Sequence, residues 1–149
     1  MMKVADQLVE ILVQAGVTRI YAVTGDSLNE LNDAVRKQGN IQWIHVRHEE
    51  AGAFAAAADA ELTGLACCAG SSGPGHVHLV NGLYEANRSG VPLLAIVATC
   101  PTAEFGTGYF QETNTIKLFD DCSIYNQLAC TASQAPRMAQ AAIQHAVCR

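Results

Sequence analysis

Basic residues are few and scattered. Nine Lys and Arg are spread over 149 residues, with only Arg36 and Lys37 adjacent, against fourteen Asp and Glu, for a formal net charge of −5. A polyanion is held through clustered cations, so no nucleic-acid partner is expected. Apolar stretches are also short, breaking well before the ~20 residues that cross a bilayer. The opening Met1-Met2-Lys3-Val4-Ala5-Asp6 lacks the apolar h-region of a signal peptide. The sequence therefore reads as cytosolic, with no transmembrane segment. The six cysteines include no C-x-x-C pair, and the vicinal Cys67 and Cys68 lie inside an apolar run. They read as buried free thiols rather than zinc ligands or disulfides.

What is present is apolar. Half the residues are hydrophobic and only 15% are charged, a balance that excludes disorder and suggests a surface shared with another domain or another copy. At this length roughly two thirds of the unfolded chain's surface can be buried, enough for a core without staples.

Periodicity divides the chain into alternating elements. Val4, Leu8, Ile11 and Leu12 recur at helical spacing and Gly16 ends the helix. Arg19–Val23 reads as a strand, and Ser27 with Glu30 reads as a capping box at the next helix. Ile41–Val46 is a second strand and His48–Thr63 an alanine-rich helix. Leu65–Ala69 is a third strand, running through Gly70-Ser71-Ser72-Gly73-Pro74-Gly75 into a helix over His76–Asn87. Pro92–Ala98 is the fourth and most apolar strand. A loop from Thr99 to Asn114 exceeds ordinary connections and marks a working segment. A fifth strand is predicted over Ser123–Cys130, then a helix over Ser133–Val147 capped by Ser133. Strands apolar on both faces and alternating with helices predict an α/β fold in three layers, α/β/α, with a mostly parallel sheet. The chain stops inside or just after a crossover helix, so this single domain over 1–149 reads as incomplete, truncated before its last strand.

Ligands of open parallel sheets bind at the carboxyl ends of the strands. Four segments fall there: 24–27, 47–50, 70–75 and 99–114. The glycine loop has no P-loop Lys, no G-x-G-x-x-G and no nucleophile elbow. Alone it reads as a tight turn that lets backbone approach a flat ligand. Glu49 and Glu50 suit a first helical turn for the dipole alone. Beside the glycine loop, and followed by the small Ala51, Gly52 and Ala53, a carboxylate there has room to meet a ring. His76 and His78 lack a third ligand at sensible spacing, so no metal site is expected. Gly106–Glu112 puts two aromatics, an amide and an acid on a flexible segment.

Thr24-Gly25-Asp26-Ser27, Val46-Arg47-His48-Glu49-Glu50, the 70–75 loop and Tyr109-Phe110-Gln111-Glu112, in this order and spacing, resemble the N-terminal pyrimidine-binding domain of thiamine diphosphate enzymes. The likeness covers essentially the whole chain. It is strongest to the pyruvate oxidase and quinone-dependent pyruvate dehydrogenase branch, with acetolactate synthase the nearest rival.

The resemblance implies that Glu49 hydrogen-bonds the N1′ nitrogen of the cofactor's aminopyrimidine, and so activates the thiazolium carbon that attacks the keto carbon of pyruvate. Thr24, Gly25, Ser72, Gly73, Pro74, Gly75 and His78 would surround the pyrimidine. Phe110 and Gln111 would face substrate or flavin. Magnesium, the diphosphate and FAD belong, in relatives, to domains absent from this sequence, and relatives build the site between two subunits. The chain alone is therefore expected to be inactive. It would pair with its own copies or a full-length homologue through the pyrimidine-domain face, and full-length relatives are compatible with peripheral membrane association. The implied reaction is oxidative decarboxylation of pyruvate, to acetate with quinone reduction or to acetyl phosphate. Carboligation to acetolactate, and a non-catalytic partner module, are the alternatives.

Overall fold

The computed structural model describes residues 2–148. Helix α1 (Val4–Gln14) buries Val9 and Leu12, and the chain turns at Gly16, φ 89°, into β1 (Arg19–Ala22). A 3-10 turn over Asp26–Leu28 leads to α2 (Asn29–Gln38). Next come β2 (Gln42–His45), α3 (Glu49–Thr63) and β3 (Ala66–Gly70). The short α4 (Pro74–Val77) precedes α5 (Val80–Ser89) and β4 (Leu93–Val97). A 3-10 turn over Thr102–Glu104, then α6 (Thr115–Leu118) and α7 (Ala135–Val147), complete the order.

The strands form one parallel sheet in the order β2-β1-β3-β4. Alternation along β3 divides the core in two. Cys67 and Ala69 face Val9, Leu12, Leu31 and Val35 of α1 and α2, with Ala146 of α7 on the same side. Ala66 and Cys68 face Ala53, Ala56 and Ala60 of α3 and Leu83 of α5. This is the three-layer α/β/α arrangement, with the central strand apolar on both faces as parallel sheets require. Burial pushes the Cys68 thiol up to about 12 and Cys67 well above the usual thiol range, so neither is a nucleophile. Cys100 and Cys122 are buried as well, but Cys130 and Cys148 are exposed, contrary to the expectation for all six.

Four local expectations are corrected. Ser27 and Glu30 make no capping box, because the 3-10 turn moves the cap position to Leu28. Ser27 Oγ instead accepts the Ser72 amide at 2.9 Å, and Glu30 pairs with Lys3 at 2.7 Å. The helix expected over His76–Asn87 is two pieces, α4 and α5, broken at His78 and Leu79. Segment 123–130 forms no strand. Its polar groups are spent on α6: the Ser123 hydroxyl donates to the Phe119 carbonyl at 2.6 Å, and Asn126 Nδ2 donates to those of Thr115 and Ile116 at 3.2 and 2.9 Å. Ser133 does not cap α7; Gln134 holds that position, and its side-chain oxygen accepts the amides of Cys130 and Thr131.

With no fifth strand, β4 is an edge of the sheet among the described residues. A groove of about 130 Å³ runs beside it, lined by Leu93, Val97, Phe119, Tyr125 and Ala146. No described helix is long and apolar enough to cross a membrane.

Candidate functional site

Because all strands run parallel, their carboxyl ends share one rim, and the connections leaving that rim meet there. Glu49 is the centre. It opens α3, where the exposed helix amides favour an acid, and it is only 8% exposed. His78 Nδ1–H donates to Glu49 Oε2 at 3.1 Å. The other oxygen, Oε1, faces Gly75 and lies 3.3 Å from where a Cβ on that residue would sit. Glu50 points away, accepting from Asn81 Nδ2 at 2.6 Å. His48 caps α3, its Nδ1 accepting the Glu50 amide at 3.2 Å. Its ring stacks on that of His78 with centroids 4.4 Å apart.

The glycine loop wraps the same carboxylate. A Cβ on Gly25 would lie 2.6 Å from Ser71 Cβ, and one on Gly75 would strike Ser71 Oγ. Gly25 lets the β1 and β3 connections touch, and Gly75 lets the loop after β3 fold back on itself. Gly73 takes φ 66° and ψ −121°, outside the range of side-chain-bearing residues, and Pro74 occupies the first turn of α4, where no amide is needed. Ser72 is buried: its amide donates to Ser27, and its hydroxyl donates to Gln111 Oε1 at 3.1 Å. Gln111, at φ 61°, thus joins the cluster, whereas its neighbour Phe110 is 77% exposed and projects into solvent. Thr24 is exposed at the end of β1.

The 99–114 loop is organised from within and from its ends. Glu112 accepts the amides of Gly106 at 2.6 Å and Gly108 at 3.0 Å, and these bonds, that of Gly106 foremost, hold its carboxyl below the usual range. His76, fully buried, joins the two ends of the loop: Nδ1–H donates to the Ala98 carbonyl at 2.9 Å, and Nε2 accepts from the Thr113 hydroxyl. Its partners suit a neutral imidazole, and burial pulls its pKa below the ordinary 6.5. An unfolded His76 takes up a proton more readily than the folded one. Its contribution is therefore complete above about pH 6.5 and is lost as pH falls toward the depressed folded value. Melting temperature should decline from about pH 8 to about pH 5, and His76→Gln should flatten part of that slope. Parallel profiles of the two proteins would remove His76 as the cause.

Of the residues singled out in the sequence, Glu49, Gly25, Ser72, Gly73, Gly75, His78 and Gln111 come together. Sequence reasoning placed Ser27, His48 and Ser71 in the rim segments without giving them a part, and missed the clasp of His76 on Thr113. Their common signal is topological: Ser27, His48 and Ser71 all lie in connections that leave strands at the carboxyl rim.

Residues 2–118 match the family model described as thiamine pyrophosphate enzyme, N-terminal TPP binding domain. The chain is 57% identical over 146 residues to an uncharacterized 42.6 kDa protein of Pseudomonas amyloderamosa, covering 97% of this chain and 37% of that protein. It is 41% identical over 141 residues to pyruvate oxidase of Lactiplantibacillus plantarum, covering 93% of this chain and 23% of that one. Over 141 residues it is 36% identical to acetolactate synthase 3, chloroplastic, of Brassica napus, covering 94% and 22%. The chain thus spans between about a fifth and two fifths of the length of these relatives. The parallel α/β sheet and the match over residues 2–118 agree, and the chain belongs to the thiamine pyrophosphate enzymes as their N-terminal TPP-binding domain.

Proposed function

We propose that this chain supplies the pyrimidine-binding half of a thiamine diphosphate site in a flavin-containing decarboxylase that oxidises pyruvate. The observation that carries the reading is Glu49, a buried carboxylate with one oxygen on His78 and the other facing the bare Cα of Gly75. A flat aminopyrimidine needs such a combination: backbone without Cβ atoms on its path, and an acid able to share a proton with a ring nitrogen. Gly75, beside Glu49 Oε1, provides the first and Glu49 the second, so the residues present fit the cofactor.

When bound, thiamine diphosphate would supply a nucleophilic carbon for the keto group and a cationic thiazolium ring as the sink for the electrons of the carbon–carboxylate bond. The chain's own part is to hold and activate. Glu49, only 8% exposed, would hold or pass a proton at the ring nitrogen. His78 fixes the Glu49 rotamer through Oε2. Ser72, tied to Ser27 and Gln111, holds the glycine loop at its height above α3. Thr24 and Pro74 border the ring, and Phe110, exposed and aromatic, is available to substrate or flavin. We assign magnesium, the diphosphate and FAD to other parts of the longer enzyme, and the remaining wall of the site to a second subunit or a full-length homologue.

Similarity to pyruvate oxidase over most of the chain supports pyruvate as substrate, with acetate plus reduced quinone or acetyl phosphate as products. The test is turnover by the longest polypeptide that contains this chain, given thiamine diphosphate, Mg²⁺ and flavin. Carbon dioxide release coupled to reduction of a quinone analogue or of oxygen supports the reading. Acetolactate as product replaces it with carboligation, which the similarity to acetolactate synthase also accommodates. The 149-residue chain assayed by itself should not turn over pyruvate; inactivity of every longer form, together with capture of a full-length homologue, favours the partner module.

A further inference from the structure

We propose that His48, Glu49 and His78 form a binding site for one divalent transition-metal ion, with Zn²⁺ the best fit. One ligand atom from each residue lies within 4.8 Å of the other two. The sequence places His48 beside Glu49 but His78 far away, and it is the sheet rim that closes the triangle. Glu49 Oε2 and His78 Nδ1 are already 3.1 Å apart, close to the roughly 3.3 Å that separates two ligands bound about 2.0–2.1 Å from a tetrahedral ion. Only His48 must close in. Its side chain is half-exposed, and to reach the ion it gives up the Glu50 amide and tilts out of its stack on His78.

The donor set selects the ion. Two imidazoles and one carboxylate match zinc and its borderline neighbours, whereas Mg²⁺ and Ca²⁺ prefer oxygen ligands throughout. Three protein ligands leave a fourth position for water. The backbones that carry them are set by the fold: His48 is the cap of α3, Glu49 its first residue, and His78 follows α4 directly. On binding, His78 shifts its proton from Nδ1 to Nε2 and turns the freed lone pair on the metal. Glu49 Oε2 is then engaged, so the ion would compete with the use of Glu49 proposed above. The metal site itself does not rest on that use and is read with zinc alone.

The test is calorimetric titration of the metal-free chain with zinc chloride in a Cys130→Ser/Cys148→Ser background, which removes the exposed thiols as rival ligands. One equivalent should bind. His48→Ala and His78→Ala should each weaken it at least about tenfold, and His145→Ala, on α7, should leave it unchanged. Both ligand histidines are exposed, so these variants remove no core, and circular dichroism checks that they fold. Absence of saturable binding in the Cys130→Ser/Cys148→Ser chain, or binding that survives both His48→Ala and His78→Ala, overturns the proposal. Failure here with intact pyruvate turnover leaves the thiamine reading standing, and the reverse result leaves the metal site.

Discussion

Glu49→Gln should lower turnover of any active assembly containing this chain by on the order of 10²–10⁴, the usual contribution of a positioned proton-transfer group. The substitution changes almost nothing else. Glutamine has the same shape, and its oxygen can still accept from His78 Nδ1, now 3.1 Å from Glu49 Oε2. Its other end becomes an amide that cannot share a proton with a ring nitrogen. The carboxylate's attraction to the α3 amides is lost, at a cost of about 0.3–1 kcal/mol, but removing a buried charge returns desolvation energy of the opposite sign. Melting temperature should therefore move by no more than about 2–4 °C. Steady-state turnover and thermal denaturation on the same preparations decide it. Activity within a few-fold of the parent excludes Glu49 from the chemistry, and joint loss of fold and activity makes it structural.

The largest stability effect is expected at Gly82. Helix propensity alone favours replacing a glycine inside α5, by about 0.5–1 kcal/mol for alanine and less for valine. Packing opposes it. A Cβ at Gly82 would strike the Ala53 side chain and stand 2.9 Å from the α3 backbone at Ala53 C and Phe54 N. Those are main-chain atoms and cannot rotate away, so α3 and α5 must separate along a face built of Ala53, Ala56 and Ala60. Overpacking of this kind costs about 1–3 kcal/mol or more and outweighs the propensity gain. Gly82→Val should lose on the order of 2–3 kcal/mol, roughly 5–10 °C in melting temperature for a chain of this size. A melting temperature equal to or above the parent's would mean that the spacing of α3 and α5 is adjustable and that propensity decides.

What could be read from the sequence follows the range of the forces involved. The helices were legible because burial on one face imposes a period that a short window contains, and the four observed strands because they are short apolar runs bounded by turn residues. Glu49 was legible in two steps: a strand, then acids, then small residues is a local pattern that marks Glu49 and Glu50 together, and the family resemblance separates them. The errors concern groups whose partners lie elsewhere in the chain. Ser27 and Glu30 have the spacing of a capping box, yet Ser72 and Lys3 claim them, from across the rim and from α1. Segment 123–130 has β-forming Ile124 and Tyr125, but a strand needs an edge to pair with, and Ser123 and Asn126 bind α6 carbonyls instead. His48 and His78 face each other only once α3 leaves β2 and α4 leaves β3, two strands that β1 separates in the sheet. Nothing in the spacing of two histidines thirty positions apart announces that.

His76 ties Ala98 to Thr113, and the span between them is thereby closed at its mouth by one imidazole. Closing a flexible loop costs entropy that grows only logarithmically, about 0.6 kcal/mol for each doubling of length. The clasp meets most of that cost at a fixed point on the sheet. Residues between the two anchors can then be inserted, deleted or exchanged with little effect on the strands beneath. Such a segment is free to diverge faster than its frame, and a family that keeps the frame can acquire a new substrate by rewriting the loop alone.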